Sequence, residues 1–278
     1  PPTDLRILQR QKLVGSVCTL LLPRREFLFR TLSLPPASVA FVRNTDSASA
    51  AAGADDTALT ERLEHEHGTA LTLRSLESAA QFDSLGPMAV YPDPVLRRSA
   101  SPVTRFGPAV ERITDLLTSG MKTNSTTALQ YGIDARIIVL RGPASPFASS
   151  APLVLINPNV LSRSGEDKMV SWREYCGDVP LQGSSNVDLL EVELLRDEVV
   201  EVAAQDVRGV PIRKALRGEA ARAFQHELDH LDGLLIIDHA GLDELPKDIA
   251  LREAPYHKVR QRRAFERKTY QGNEPLYW

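Results

Sequence analysis

Two histidines and a glutamate in the segment QHELDHLDG, from Gln225 to Gly233, have types and a spacing that could do chemistry at a metal ion. His226 and His230 are four residues apart, so on a helix both imidazoles project from the same face and could chelate one divalent cation. Glu227 stands next to the first histidine, where it could act as a base toward water at such an ion. The polar face of an ordinary helix would show the same pattern, so the motif alone leaves both interpretations open.

A catalytic site of this kind needs a third protein ligand beside the histidine pair. Metzincin proteases place a third histidine three residues after the glycine, but that position is Ile236 here, so the sequence excludes this class. Only Cys18 and Cys176 occur, and Cys18 lies in an atypical N-terminal stretch. A lone cysteine is often an inert buried residue. Beside a two-histidine helix, we interpret Cys176 as the third ligand. The low cysteine content also fits a reducing compartment.

The elements that must position these residues can be predicted from hydrophobic periodicity. The pattern predicts a helix over Gly218–Asp232, with Phe224, Leu228 and Leu231 on one buried stripe and Gly233 at its end. A second amphipathic helix is predicted over Pro108–Gly120, and its apolar face carries Val110, Ile113 and Leu117.

Short β-rich runs occupy the region between the two helices. They are Ile137–Leu140, Leu153–Ile156 closed by Asn157-Pro158, an alternating run from Leu190 to Leu194, and Val200–Val207. The charged triplet Arg196-Asp197-Glu198 between the last two predicts a hairpin turn. Strands followed by one core helix indicate an α+β fold. We expect antiparallel sheets packed around the central metal-binding helix that carries the HExxH pattern.

The chain resembles the peptide deformylase family, whose three motifs can be laid in order over roughly Tyr91 to Ala240. The third motif is complete as QHELDHLDG. The second, Glu-Gly-Cys-Leu-Ser in the family, appears as EYCGD and keeps Glu174 and Cys176. The first, Gly-X-Gly-X-Ala-Ala-X-Gln, appears as TNSTTALQ and keeps Ala128 and Gln130.

This resemblance implies a metal-dependent hydrolase that removes the N-formyl group from nascent polypeptides. Cys176, His226 and His230 would hold one Fe²⁺ or Zn²⁺ ion. Glu227 would take a proton from the attacking water and later deliver it to the leaving amine. The side chain of Gln130 and the backbone N–H of Gly177 would stabilise the oxyanion that forms.

The departures from the family motifs gather on the substrate side. Thr123 and Ser125 replace the two glycines of the first motif, and Tyr175 replaces the glycine of the second. The family also grips the peptide backbone with an arginine after the second motif, whereas residues 181–195 contain no Arg or Lys. Two hypotheses follow. One is an organellar deformylase or related metal-dependent amidohydrolase with altered specificity, and the other is a catalytically degenerate scaffold subunit of a large assembly such as the mitochondrial ribosome.

Composition and charge divide the chain into four parts. With 42% hydrophobic and 25% charged residues, and with no apolar run long enough to span a bilayer, we expect no membrane span. Residues 1–45 form a basic extension, residues 46–82 a low-complexity linker with a possible helix over Glu61–Ser78, residues 83–245 the deformylase-like domain, and residues 246–278 a basic C-terminal extension.

The N-terminal part is rich in Arg, Ser and Leu, which is typical of a mitochondrial transit segment. Because the chain begins at Pro1, we expect further residues before it.

The net charge of −3 conceals an uneven distribution. Residues 1–45 carry seven Lys/Arg against Asp4 and Glu26, and residues 256–270 carry six against Glu266. Basic ends on an acidic body indicate a negatively charged partner, here a mitochondrial ribosomal protein or rRNA. Solubility alone would explain the same distribution.

Overall fold

The computed structural model of the 278-residue chain describes residues 70–144, 151–165, 168–181 and 189–269. The basic N-terminal extension and the linker up to residue 69 lie outside these ranges, and so do the last nine residues of the C-terminal extension. Within the described ranges, no helix has both the length and the hydrophobicity that a membrane crossing requires.

Helices and strands alternate irregularly along the chain. The α-helices are α1 (Leu76–Ala79), α2 (Pro108–Gly120), α3 (Glu219–Leu231), α4 (Lys247–Glu253) and α5 (His257–Thr269). Short 3₁₀ helices span Pro94–Arg97, Leu129–Tyr131 and Ile236–His239. The strands are β1 (Arg74–Ser75), β2 (Ser125–Thr127), β3 (Ile133–Asp134), β4 (Ile137–Leu140), β5 (Leu153–Arg163), β6 (Met169–Pro180), β7 (Leu189–Asp197), β8 (Val199–Gln205) and β9 (Pro211–Arg217).

The strands form one larger sheet and two pairs in the described part of the chain. The larger sheet has the order β2-β4-β5-β8-β9 and is antiparallel throughout. Strands β6 and β7 form a long antiparallel pair. The expected α+β mixture is confirmed. One detail differs from the expectation of antiparallel sheets alone, because the short strands β1 and β3 pair in parallel.

Strand β4 is buried on both faces, which explains its uninterrupted apolar sequence IIVL. Ile137 and Val139 pack in one core with the apolar face of α2, and Ile138 and Leu140 pack in a second core with Phe224 of α3. The large sheet therefore lies between the two helices that the sequence predicts. Full burial of a side chain such as Phe224 stabilises the fold by about 1.5–3 kcal/mol.

Helix α3 is buried on nearly all sides, from Ala221 to Leu231. The predicted end of this helix at a glycine is confirmed, since Gly233 adopts a φ of +71° just after the C-cap residue. A Cβ atom at this position would lie 2.5 Å from the carbonyl oxygen of Arg97, so only glycine fits. The motif that could bind a metal is thus carried on a helix at the centre of the fold.

The predicted hairpin turn at Arg196-Asp197-Glu198 is wrong. Strand β7 ends at Asp197 and pairs with β6, whereas β8 begins at Val199 and pairs with β5 and β9. The chain passes from one sheet to the other at this point. Arg196 and Asp197 are buried, and each charge is balanced by an ion pair inside the protein, Arg196 with Glu174 and Asp197 with Arg163.

The predicted end of a strand at Asn157-Pro158 is also wrong, because β5 continues to Arg163. Asn157 adopts a left-handed conformation with a φ of +50°, and the pairing of β5 with β8 shifts register here. The Asn157 side chain accepts from the N–H of Val103 and donates to the Val103 carbonyl, both at 2.8 Å. These bonds hold a bulge that lets the strand pass the proline.

Residues 61–69 of the helix predicted over Glu61–Ser78 lie outside the described residues, and residues 70–75 are not helical. Only Leu76–Ala79 is helical, because Arg74 and Ser75 pair with β3 and the Ser75 hydroxyl then caps the helix at the N–H of Ser78. Leu76 and Ala79 are buried in the core around α2. This part of the expected linker therefore packs against the domain.

The described part of the C-terminal extension is helical, and buried ion pairs attach it to the rest of the domain. Arg97 contacts Asp238 at 2.6 Å and Glu253 of α4 at 3.1 Å. Glu253 also pairs with Arg260 of α5 and accepts a hydrogen bond of 2.8 Å from the Tyr91 hydroxyl. We call these five residues the Arg97 network.

Candidate metal centre

The three predicted ligands come together in the structure. Ligand atoms of Cys176, His226 and His230 lie within 4.8 Å of one another. The side chains are 1%, 7% and 2% exposed, respectively. The Nε2 atoms of the two histidines are 3.3 Å apart, and the Cys176 Sγ is 3.4 Å from the His230 Nε2. Zinc bond lengths and tetrahedral angles would require about 3.3 Å between two nitrogens and about 3.6 Å between sulfur and nitrogen.

Strand β6 and helix α3 supply these ligands from facing sides. Because side chains alternate along a strand, Glu174, Cys176 and Asp178 share the buried face of β6, while Tyr175 points the other way. His226 and His230 follow one another by one turn of α3. The thiol therefore meets the imidazoles across the interface between a strand and a helix.

Glu174 determines which nitrogen of His226 faces the other ligands. The His226 Nδ1 lies 2.9 Å from the Glu174 Oε2, and a carboxylate oxygen can only accept, so Nδ1–H donates. In the neutral ring, the Nε2 atom then carries the lone pair that points toward Cys176 and His230. A metal ligand requires this tautomer.

Behind Glu174 lies a buried chain of charges. Arg196 donates to both Glu174 oxygens, at 2.9 and 3.1 Å, and to Asp229 at 2.6 Å. Asp229 also accepts from His239 at 2.8 Å. Burial alone would raise the pKa of Glu174, but the positive charge of Arg196 outweighs it and holds that pKa far below its usual value. The carboxylate that orients His226 is therefore ionised.

The protein alone does not favour the ionised thiolate that a metal site needs. Burial raises the pKa of the Cys176 thiol well above its usual value, and the nearby Asp178 carboxylate adds to this effect. Burial also lowers the pKa of His230 well below its usual value, and a protonated His226 would act in the same direction. A divalent cation would stabilise both the thiolate and the neutral imidazole, so the donor set fits such an ion.

Glu227 is buried next to the predicted ligands, and only one of its two carboxylate oxygens accepts a hydrogen bond. Its Oε1 accepts a hydrogen bond of 2.7 Å from the Ser125 hydroxyl, whereas its Oε2 has no partner. Burial raises the pKa of Glu227 above its usual value, although His226 and the Ser125 hydrogen bond oppose the shift. A buried carboxylate with a free oxygen and a raised pKa suits a general base.

Gln130 is held at the edge of the site by its own loop and by Asp178. Its Oε1 accepts from the N–H of Thr127 at 2.7 Å, and its Nε2 donates to the Asp178 Oδ2 at 2.9 Å. Asp178 in turn lies 3.8 Å from the Nδ1 of His230. Burial raises the pKa of Asp178 to about 7, although the bond from Gln130 opposes this shift. The predicted oxyanion donor is thus linked to a metal-ligand candidate through one carboxylate.

The two remaining positions of the second motif differ in their surroundings. Tyr175 is exposed, and its hydroxyl bonds to Glu191 on the neighbouring strand. Its bulk therefore lies on the opposite face of β6 from the ligand group. At Gly177, a Cβ atom would lie 3.3 Å from the terminal methyl of Met88, so this methyl group occupies the space that a larger side chain would need.

Sequence reasoning missed three residues of the site. The sequence predicts a turn at Arg196, and Ser125 and Asp178 stand at positions where the chain departs from the family motifs. Their partners are 22 to 102 residues away in the chain, so no local pattern connects them. The one available signal is that Arg196 continues the buried register of β7, two residues after Leu194.

A sequence model of the family described as "Polypeptide deformylase" matches residues 86–245. Among curated relatives, a peptide deformylase of Thermotoga neapolitana is 35% identical over 152 residues, which cover 54% of this chain and 83% of that protein. Peptide deformylase 1B, chloroplastic, of Oryza sativa subsp. japonica is 32% identical over 168 residues, covering 59% of this chain and 58% of that protein. The crystal structure of peptide deformylase from Thermotoga maritima aligns with a TM-score of 0.45 at 33% identity, covering 55% of this chain and 95% of that one.

Proposed function

The chain belongs to the polypeptide deformylase family of hydrolases, and from this premise we propose that it removes the N-formyl group from nascent polypeptides. One observation carries the proposal. The sulfur of Cys176 and the Nε2 atoms of His226 and His230 converge on a buried point, and Glu227 beside them keeps one oxygen free. This arrangement supplies both a cation site and a base.

Cys176, His226 and His230 would hold one divalent ion, and sulfur with two imidazole nitrogens suits either Fe²⁺ or Zn²⁺. When bound, the ion supplies Lewis acidity that lowers the pKa of a water molecule and polarises the formyl carbonyl. Glu174 keeps His226 in the tautomer that binds metal, and Arg196 keeps Glu174 ionised. Partners of this kind typically change metal affinity by 10- to 100-fold.

The proton steps fall to Glu227. Its free Oε2 atom accepts a proton from the attacking water as the water oxygen bonds to the formyl carbon. The same carboxyl then delivers the proton to the nitrogen of the leaving amine, and formate departs. Gln130, with one N–H engaged by Asp178 and the other available, and the backbone N–H of Gly177 donate to the oxygen that becomes negative.

Altered substrate specificity is part of the proposal. It is supported by Ser125, which replaces a glycine of the first motif, and by the β-branched Thr126 and Thr127 that follow it, because all three side chains are buried. It is also supported by the Met88 methyl group, which lies beside Gly177 where the family has leucine. A different side-chain shape beside the ligands changes which N-terminal residue the site accepts.

Formate release from formyl-methionyl tripeptides by the purified chain tests the proposed activity. We expect one formate per peptide cleaved and one metal ion per chain, while the matched acetyl-methionyl peptide stays intact. Intact formyl peptide in the presence of stoichiometric metal would contradict the proposal. A panel with other first residues after the formyl group then measures how far the specificity departs from methionine.

A scaffold role in a large assembly such as the mitochondrial ribosome is the second candidate function. It is supported by helix α5, whose described side chains include exposed Lys258, Val259 and Arg262. In this case the partners are a mitochondrial ribosomal protein or rRNA, contacted through the basic N- and C-terminal extensions, and the location is the mitochondrion. Co-sedimentation with mitochondrial ribosomes, lost on removal of residues 257–278, together with absent metal, would favour the scaffold.

The domain organisation that we propose follows the same division. Residues 83–245 form the deformylase-like domain, preceded by a transit-like extension over residues 1–45 and a linker over residues 46–82, whose residues 74–79 pack against the domain. Residues 246–278 form the C-terminal extension. The family match over residues 86–245 supports the central part of this division.

A further inference from the structure

The hydroxyl of Ser125 makes a buried contact that a glycine could not make. Ser125 lies in β2, and its Oγ donates at 2.7 Å to the Oε1 of Glu227, 102 residues away in the chain. The backbone carbonyl of Ser125 is itself fixed by the Thr123 hydroxyl at 2.6 Å. One oxygen of the Glu227 carboxylate is therefore anchored, and the free rotation of the group is restricted.

Asp178 makes a corresponding contact with Gln130. The N–H of Thr127 can only donate, so the atom that it contacts in the Gln130 side chain must be the oxygen, and the Nε2 must face Asp178. Asp178 is fully buried, and its second oxygen has no partner. The orientation of the Gln130 amide is thus set from both ends.

Both contacts come from positions where this chain departs from the motifs that it resembles. A glycine stands in the family motif at the position of Ser125, and a serine at the position of Asp178. The two departures add side-chain atoms, and the added atoms bond to the base and to the oxyanion donor. Loss of an unused site would not require hydrogen bonds to these particular side chains.

We propose that Ser125 and Asp178 are positioning residues of the reaction, which hold Glu227 and Gln130 in their working orientations. This inference rests on the proposed deformylase function. Ser125 occupies Oε1 so that Oε2 is the atom presented to the attacking water. Asp178 occupies one N–H of Gln130 so that the second points to the developing oxyanion. Groups held before the reaction begins need no reorganisation during it.

The test compares Ser125→Ala with Ser171→Ala. Ser171 makes the same type of bond at the same length, 2.7 Å to Glu193, but on the exposed surface. We expect Ser125→Ala to lower kcat about tenfold, with KM within about twofold and the metal content unchanged. Ser171→Ala should match the parent. Ser125→Thr, which keeps the hydroxyl, should recover most of the rate.

For Asp178 the informative pair is Asp178→Leu and Asp178→Asn. Leucine removes the acceptor for Gln130, whereas asparagine keeps one. We expect kcat to fall about tenfold with leucine and to stay within about threefold with asparagine. A crystal structure of metal-free Ser125→Ala supplies a measurement that is independent of activity, since the Glu227 carboxylate should take a second orientation.

The outcomes separate the two levels of the argument. A metal-loaded parent protein that releases no formate overturns the proposed function, and the positioning roles fall with it. An active parent whose Ser125→Ala and Asp178→Leu variants keep the parental kcat overturns the positioning roles alone. The same holds if the loss of rate follows a loss of metal, or if Glu227 keeps its orientation without the hydroxyl.

Discussion

Two regions of the molecule are buried and rich in ionic groups, yet their polar atoms are paired differently. One is the cluster of Cys176, His226 and His230 with the charged residues behind it, and the other is the Arg97 network. In the Arg97 network, the arginine faces Asp238 and Glu253, and Glu253 is shared with Arg260 and Tyr91. The Nη2 of Arg97 makes no hydrogen bond, but the Glu253 carboxylate 3.1 Å away balances its charge. Beside Cys176 and on its neighbours, the Oε2 of Glu227, the Nδ1 of His230 and the second oxygen of Asp178 also have no hydrogen-bond partner, and Glu227 and Asp178 are both acids.

This difference separates structure from function. The opposite charges of the Arg97 network neutralise one another and hold the C-terminal helices against the 3₁₀ helices of the domain. Leaving a buried polar atom unpaired costs about 1–3 kcal/mol, and such groups persist where a ligand or a reaction uses them. The comparison therefore supports our proposal that chemistry takes place at Cys176, His226 and His230, while Arg97 contributes to stability.

The largest expected effect is the loss of a ligand. His230→Ala should abolish stoichiometric metal binding and reduce formate release to background, because two remaining ligands hold a divalent ion poorly. The matched control is His257→Ala on helix α5, which should keep both. The measurement is metal content by elemental analysis together with the formate assay. If His230→Ala kept its metal and its activity, His230 would not be a ligand, and the functional side of the comparison would be contradicted.

A large but smaller effect is expected from Glu227→Gln. The amide keeps the shape of the side chain but cannot accept the proton from water, so kcat should fall by about 10²- to 10⁴-fold. Metal content should stay at one ion per chain because Glu227 is not a ligand. Steady-state kinetics on the metal-loaded variant check this, and a kcat within about threefold of the parent would remove Glu227 from the mechanism.

Arg196→Met and Arg97→Met compare the two networks directly. Each change leaves buried carboxylates without their arginine, so both variants should lose about 3–5 kcal/mol of unfolding free energy. Only Arg196→Met should also weaken metal binding, by about 10- to 100-fold, because Glu174 then no longer orients His226 firmly. Urea unfolding and competition with a chelator measure the two effects. Equal metal affinities in the two variants would contradict the claim that Arg196 supports the metal site whereas Arg97 supports only the fold.

The smallest expected effect concerns acid stability. Burial alone would raise the pKa of Glu253, but Arg97 and Arg260 outweigh burial and hold that pKa below its usual value. A lowered pKa means that the ionised group stabilises the fold above its unfolded-state pKa of about 4.3, and that this contribution is lost as the pH falls through the folded-state pKa. Stability should therefore decline below about pH 4, and less steeply in Glu253→Gln. Parallel curves for parent and variant would contradict this assignment.

Much of the scaffold could be predicted from sequence because its signals are local. Helices α2 and α3 follow the 3.6-residue period and end at Gly120 and just before Gly233, and strand β4 is an unbroken apolar run. The sequence does not predict strand β6, because MVSWREYCGDVP mixes polar and apolar residues without clean alternation. Its buried polar positions carry the site.

The proposed ligands could be chosen from their spacing and their motifs, but the contacts that support them could not. Arg196 lies in a charged triplet that suggests a turn, and only the folded structure shows its partners Glu174 and Asp229. Ser125 and Asp178 stand at departures from the family motifs, and the hydrogen bonds that they form join distant segments of the chain. Such contacts depend on tertiary packing, which a pattern in one segment does not contain.

X-ray absorption spectroscopy of the metal-loaded protein tests the central claim most directly. If one thiolate and two imidazoles share an ion, the spectrum shows one sulfur neighbour at about 2.3 Å and nitrogen or oxygen neighbours at about 2.0–2.1 Å. The sulfur signal should disappear in Cys176→Ala. A spectrum without sulfur in the parent protein, or the same sulfur signal in the variant, would contradict the account.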